Sequence, residues 1–188
     1  MKKIFITLVI LLTVKGYSQL KEGQSFCSQN EDGEYFSLSI NKKKIFWKNT
    51  YYIETINGKK IINGKEYTEI KQEWENKTVD LMHLREENNI VYELDDCCEK
   101  ETIRFNKNFK VGEKWMKADN TMEYEIISFT GELATPYCEY KNLLVIKAKI
   151  ASNTFEFYYL KGIGYVGATV YTNDGKINKK LISCVTPE

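Results

Sequence analysis

Thr154-Phe155-Glu156-Phe157-Tyr158-Tyr159-Leu160 sets aromatic residues at positions 155, 157 and 159. Successive side chains of an extended chain point to opposite faces, so this spacing puts three rings on one face and predicts a strand over 154–160. The same period of two recurs at Tyr124, Ile126 and Ser128, and at Phe36, Leu38 and Ile40. Between such runs stand Asn57-Gly58, Asn63-Gly64, Asn88-Asn89 and Asn173-Asp174-Gly175, residue types that tolerate the positive φ of tight hairpins. Strands joined this tightly run antiparallel to their neighbours.

Read along the chain, the pattern predicts strands near 34–40, 44–54, 60–62, 65–74, 79–85, 90–94, 101–105, 112–117, 121–130, 140–150, 154–160, 164–172 and 177–185. Helical periodicity is nearly absent between them. The fold class expected is therefore all-β: a single antiparallel sandwich or barrel-like domain with hairpin connections and little helix. The echo of Ile56-Asn57-Gly58-Lys59 in Ile62-Asn63-Gly64-Lys65 is too short for a repeat and reads as two adjacent turns. Pro136 and Pro187 are the two prolines, and no Ser-, Gly- or Pro-rich stretch marks a linker.

The N-terminus has a different grammar. Met1-Lys2-Lys3 is a basic start, Ile4 to Val14 is an apolar run broken only by Thr7 and Thr13, and Gly16-Tyr17-Ser18 places small residues three and one before Gln19. This is the pattern of a signal peptide over 1–18, cleaved near Ser18/Gln19, with a single exported domain over 19–188. The apolar run is too short to span a membrane as a helix. The expected location is periplasmic or secreted.

The sequence of 188 residues carries 27 Lys plus Arg against 26 Asp plus Glu. Removing the leader takes away Lys2, Lys3 and Lys15 and no acid, leaving 24 bases against 26 acids. Such a balance argues against a polyanion partner. Arg85 and Arg104 are the only arginines, and Lys42-Lys43-Lys44 reads as a solvated strand start that discourages edge pairing. With 3 Trp, 13 Tyr and 9 Phe, the chain has ample material for one packed core.

Three segments in order, Ile61-Ile62-Asn63-Gly64-Lys65-Glu66-Tyr67, then Leu84-Arg85-Glu86-Glu87-Asn88 with Val91-Tyr92, then Phe109-Lys110-Val111-Gly112-Glu113, carry a resemblance. They resemble a segment of secreted all-β proteins of Bacteroidota whose role is uncharacterised, with Glu113 standing where Asp is usual. Tyr158 to Val166, with Gly162 and Gly164, is similar to the closing hairpin of exported bacterial β-domains. The resemblance implies export and a β fold and brings no catalytic residues. The Gly162–Gly164 spacing is no phosphate loop, because no helix start follows it.

All five cysteines, Cys27, Cys97, Cys98, Cys138 and Cys184, follow the leader, and in an oxidising compartment pairing is expected with one left over. Adjacent Cα atoms stand about 3.8 Å apart. Bridged cysteines usually need about 4.4–6.8 Å, so a Cys97–Cys98 bond is disfavoured. The bridge preferred is Cys138–Cys184, with Cys27 to Cys97 or Cys98 second. A redox reading of the adjacent pair lacks the usual two-residue spacer and helix start. His83, Asp95, Asp96, Cys97 and Cys98 lie close in sequence but lack the paired spacing of a zinc site, so no metal or cofactor is expected.

His83 is the only histidine and has no nucleophile motif beside it, so it reads as an ordinary strand residue. Glu66, Glu69, Glu73, Asp95 and Asp96 are nominal carboxylates for glycoside hydrolysis, and sequence selects no pair among them. Two functional readings remain. The favoured one is a non-enzymatic interaction or envelope-structural module that presents loops such as 95–100 and 131–140 to a protein or glycan partner. The other is a barrel that holds a lipid or glycan among Trp47, Trp74, Trp115, Tyr51 and Tyr158, for which an interior of a few hundred cubic ångströms would be needed.

Overall fold

The structure, a computed structural model, describes residues 27–28, 33–38, 42–95, 97–151, 153–173 and 177–186. The leader and its cleavage site, Ile40, Asp96 and the Asp174-Gly175 turn lie outside the described residues. Twelve strands follow in order: β1 (Lys42–Trp47), β2 (Thr50–Ile62), β3 (Lys65–Trp74), β4 (Val79–Glu87), β5 (Ile90–Asp95), β6 (Lys100–Asn106), β7 (Lys114–Met116), β8 (Glu123–Ala134), β9 (Glu139–Ile150), β10 (Asn153–Leu160), β11 (Gly164–Asn173) and β12 (Ile177–Thr186). Among the described residues there is no helix.

All twelve belong to one antiparallel sheet in the order β6-β5-β4-β3-β2-β1-β12-β11-β10-β9-β8-β7. Every strand pairs with its neighbours in sequence except β6 with β7, and β1 pairs with β12 through Lys44↔Thr186 to Trp47↔Ser183. The sheet curls into a nearly closed barrel whose seam falls between β6 and β7. Side chains span that seam. Trp115 Nε1 donates to the Ile103 carbonyl at 2.6 Å, the Ala118 N–H donates to Thr102 Oγ1 at 2.8 Å, and Lys117 Nζ lies 3.0 Å from Asp95 Oδ1. The sandwich alternative is thereby excluded, since there are not two sheets but one.

Register shifts at Ile56/Gly58, Val91/Tyr92, Tyr158/Tyr159, Ala168/Thr169 and repeatedly along β8 supply the bends such a wall requires. One core cluster gathers Tyr124, Ile126, Leu144, Ile146, Ala148, Tyr159, Val91 and Phe105. A second gathers Ile45, Tyr52, Leu133, Tyr140, Leu143, Val145, Leu160, Val166 and Val185. Ile126, Leu143 and Leu144 are wholly buried, each contributing about 1.5–3 kcal/mol of transfer free energy.

Three sequence expectations change. The segment 34–40 forms no strand where it is described: Tyr35 and Phe36 sit in a turn. Their rings pack inward on Phe105, Phe129 and Tyr159 instead of facing a neighbouring strand, so the polar–apolar alternation there reflects burial without pairing. The expected strand 44–54 is two strands, broken at Lys48-Asn49, where Lys48 takes φ 55°. Asn57-Gly58 is not a turn. Gly58 at φ 113° forms a bulge inside β2, a backbone region open to glycine, and β2 runs on to the true hairpin at Asn63-Gly64.

Candidate functional site

The curvature of the wall leaves a cavity of about 160 Å³ inside the barrel. Apolar side chains dominate its lining: Phe36, Trp47, Tyr52, Ile70, Met82, Leu84, Phe157 and Tyr159. Four polar residues interrupt it, Lys43 from β1, Glu54 from β2, Gln72 from β3 and Arg104 from β6. Lys43 is only 5% exposed, and its Nζ lies 3.8 Å from Glu54 Oε1. Gln72 Nε2 donates to the other Glu54 oxygen at 3.0 Å. Desolvation pulls the Lys43 ammonium below its ordinary pKa, and Glu54 offsets only part of that. Arg104 pairs with Glu93 at 2.7 Å, and its guanidinium lies 3.5 Å from the Tyr159 hydroxyl. Burial opposes the Arg104 charge, yet Glu93 and the surrounding tyrosines hold its pKa above the usual value. Each base thus has an acidic partner, Glu54 for Lys43 and Glu93 for Arg104. Burial pushes the Tyr165 hydroxyl, in the same wall, well above its usual pKa, against a hydrogen bond with Ser183 that lowers it.

The chain's own N-terminal segment forms part of the wall of this space. Tyr35, Phe36, Ser37 and Leu38 line the cavity, and Phe36 stacks on Tyr159 with ring centroids 4.4 Å apart. The Gly162 N–H donates to the Glu34 carbonyl at 3.0 Å, and Lys107 pairs with the Glu34 carboxylate at 3.1 Å. A side-chain carbon on Gly164 would come within 3.2 Å of Lys43 Nζ and 3.6 Å of the Tyr35 carbonyl, so strap, ammonium and hairpin are packed together. Farther back, Cys27 is bridged to Cys138 with Cα atoms 5.4 Å apart.

That bridge corrects the preferred Cys138–Cys184 pairing and the second-choice link of Cys27 to Cys97 or Cys98. Thr135 holds Cys138 at the β8–β9 tip, accepting its N–H on Oγ1 at 3.0 Å, where Cys27 meets it. Cys184 is a buried free thiol on β12, opposite Gly167. Cys97 and Cys98 are free in the β5–β6 turn. The presumed loop 131–140 is the end of the β8–β9 hairpin, strand except for 135–138, and 95–100 is a turn over 97–99 between strand ends.

Of the aromatic residues considered as ligand-lining, Trp47 stands in the cavity wall. The others stand elsewhere. Trp74 packs on Tyr52 at 4.8 Å and donates to Asp80; Trp115 packs on Phe109 and Tyr124 and reaches the seam; Tyr51 packs on Phe46 and Lys44; Tyr158 is buried and donates to Glu156 at 2.6 Å. The lysine run also divides by strand alternation. Lys44 lies over the Tyr51 ring, whereas Lys43 turns into the cavity. Its phase with Ile45 and Trp47 was the signal available in the sequence.

His83 alternates with Met82 and Leu84, which line the cavity, so it occupies the opposite face. Its Nε2–H donates to Glu69 Oε2 at 2.9 Å, and its buried Nδ1 has no partner. Asn57 donates to Glu69 at 2.6 Å and Lys60 lies 3.3 Å away; the Asn57 and His83 hydrogen bonds bring the Glu69 carboxyl down to about 2. Beside it, Arg85 forks onto Glu101, which also accepts from Tyr67 at 2.7 Å. Glu73 pairs with Lys71 and Lys77, and Asp95 is held by Thr102 and Lys117. Glu66 lines an open groove of about 510 Å³ with Leu38, Thr68 and Arg85. A second open groove of about 460 Å³ runs along Phe46, Lys48, Leu181 and Cys184. Among the described residues no three metal-ligating side chains come together, and no helix is long and apolar enough to cross a membrane.

Compared with known proteins, the chain matches no family model and no curated protein. Among solved structures it is similar to a crystal structure from Bacteroides fragilis described as an exported protein with a YmcC-like fold. The similarity has a TM-score of 0.44 at 10% identity and covers 77% of this chain and 91% of that one.

Proposed function

We propose that this chain is an exported, non-enzymatic β-barrel module that acts by presenting its outer surface to a protein or glycan partner. One observation carries the reading: the barrel is occupied by its own strap, Tyr35 to Leu38, leaving about 160 Å³ inside. Ligand pockets usually run to about 300–1,000 Å³. The basic and apolar start of the sequence and the Cys27–Cys138 bridge both suit an oxidising, exported setting. The β8–β9 tip is the best-placed contact surface, since the bridge anchors it and Tyr137 on it is 46% exposed.

The small-ligand reading keeps one specific support, the buried Lys43 ammonium in an otherwise mostly apolar wall. Native mass spectrometry of protein recovered from the exporting cell separates the two. The expected mass is that of the processed, bridged chain alone. A retained lipid, released on denaturation, would overturn the surface-module reading and select the binder.

A further inference from the structure

In an extended chain the side chains of Cys97 and Cys98 would diverge. The structure places them differently. They lie in the turn 97–99, where Glu99 takes φ 52° and the Cys98 N–H points to the Asp95 carbonyl at 3.3 Å. This tight reversal swings both side chains to one side and brings Sγ to Sγ at 2.9 Å, inside van der Waals contact. Cys97 is exposed and Cys98 half-buried, so both are open to reagents. The other three cysteines are accounted for: Cys27 and Cys138 are bridged, and Cys184 is buried.

We propose that Cys97 and Cys98 form a site of reversible covalent modification, closing a vicinal disulfide on reaction with a small-molecule disulfide. One cysteine sulfur attacks the oxidant, whose S–S bond breaks and releases one thiol. The second cysteine sulfur then attacks the mixed disulfide, the Cys97–Cys98 bond forms, and a second thiol leaves. Two electrons pass from the cysteines to the oxidant, and the two cysteine protons end on the released thiols. Contact between the sulfurs favours the second step over persistence of the mixed disulfide, by proximity. The Cys98 thiol, partial burial and Asp119 together push the Cys97 thiol up to about 11, which disfavours the first attack at Cys97 near neutral pH. Because adjacent Cα atoms are closer than the usual bridged spacing, the bond is of the strained, readily reduced kind. It would sit in the turn two residues beyond Asp95, whose carboxylate binds Thr102 and Lys117 at the barrel seam.

The test uses the purified chain and does not depend on where the protein resides. Protein reduced under conditions that spare Cys27–Cys138 is treated with oxidised glutathione, denatured, alkylated and digested with trypsin. The peptide Glu86–Lys100 contains both thiols and no other cysteine. The expected result is loss of both alkyl groups and a mass lower by two hydrogens, reversed by a dithiol. Two alkyl groups on that peptide, a lasting glutathione adduct, or a cross-link to Cys27, Cys138 or Cys184 would each overturn the proposal. In Cys97→Ser the expected product is a stable adduct at Cys98; the same two-hydrogen loss in that variant would also overturn it.

Discussion

Cutting the strap's tether tests whether the N-terminal segment belongs to the folded barrel. Cys27 and Cys138 are 111 residues apart, and closing a loop of that length removes about 4.8 kcal/mol of chain entropy from the unfolded state. Bridges commonly deliver less, so Cys27→Ser with Cys138→Ser is expected to lose about 3–5 kcal/mol. For a chain of this size that lowers Tm by roughly 6–20 °C. The assay is a reversible thermal melt followed by tryptophan fluorescence, paired with hydrogen exchange at Tyr35 and Phe36. The reporter is well placed, since Trp47 shares the cavity with Phe36. The expected outcome is an earlier melt and faster exchange over 33–38. A double variant melting within about 3 °C of the parent, with unchanged exchange there, would refute the reasoning.

Phe36→Ala removes a half-buried ring stacked on Phe105 and Tyr159 and is expected to cost about 2–4 kcal/mol by urea denaturation, with a red shift of Trp47 emission. Gly167→Ala should destabilise by about 1–3 kcal/mol, because its new carbon would lie 2.7 Å from the Ser183 carbonyl oxygen and 2.9 Å from Leu133 Cδ2; the same substitution at Gly112 meets no atoms and serves as a control for backbone strain alone. Arg85, chiefly, holds the Glu101 carboxyl at about 2, with help from Lys65 and Tyr67 and against desolvation. A carboxyl depressed in the folded state stabilises the fold above its ordinary value of 4.5 and loses that contribution as pH falls toward 2. Urea midpoints should therefore drop through that window, and Glu101→Gln should flatten the drop while lowering the neutral-pH midpoint.

Most strands were legible because their signals are local. The expected 65–74, 154–160 and 164–172 agree closely with β3, β10 and β11, where alternating aromatic or β-branched residues lie between turn residues. Lys48-Asn49 escaped notice because it contains no glycine, and a lysine at positive φ has no compositional mark. Asn57-Gly58 has the chemistry of both a turn and a bulge, and only its pairing partners on β3 decide between them. The candidate site was far less legible. Lys43, Glu54, Gln72 and Arg104 converge from four strands, and that convergence depends on how tightly the sheet curls. Lys43 was also masked by the charges beside it, although its phase with Ile45 was visible. The Cys27–Cys138 bridge joins points with no shared local pattern. The Cys97–Cys98 contact depends on a reversal at Glu99, a residue type that carries no compositional mark of positive φ.

Ile45 faces Val185 across the joint between β1 and β12. A ring joined there cannot be completed while the last strand is still being delivered. Until β12 arrives, β1 has one neighbour, and its other border stays unsatisfied and adhesive. Pairings this distant in sequence form slowly. If the chain is exported as proposed, the barrel finishes only after β12 has crossed the membrane, and the interval before that is when a holding chaperone matters most.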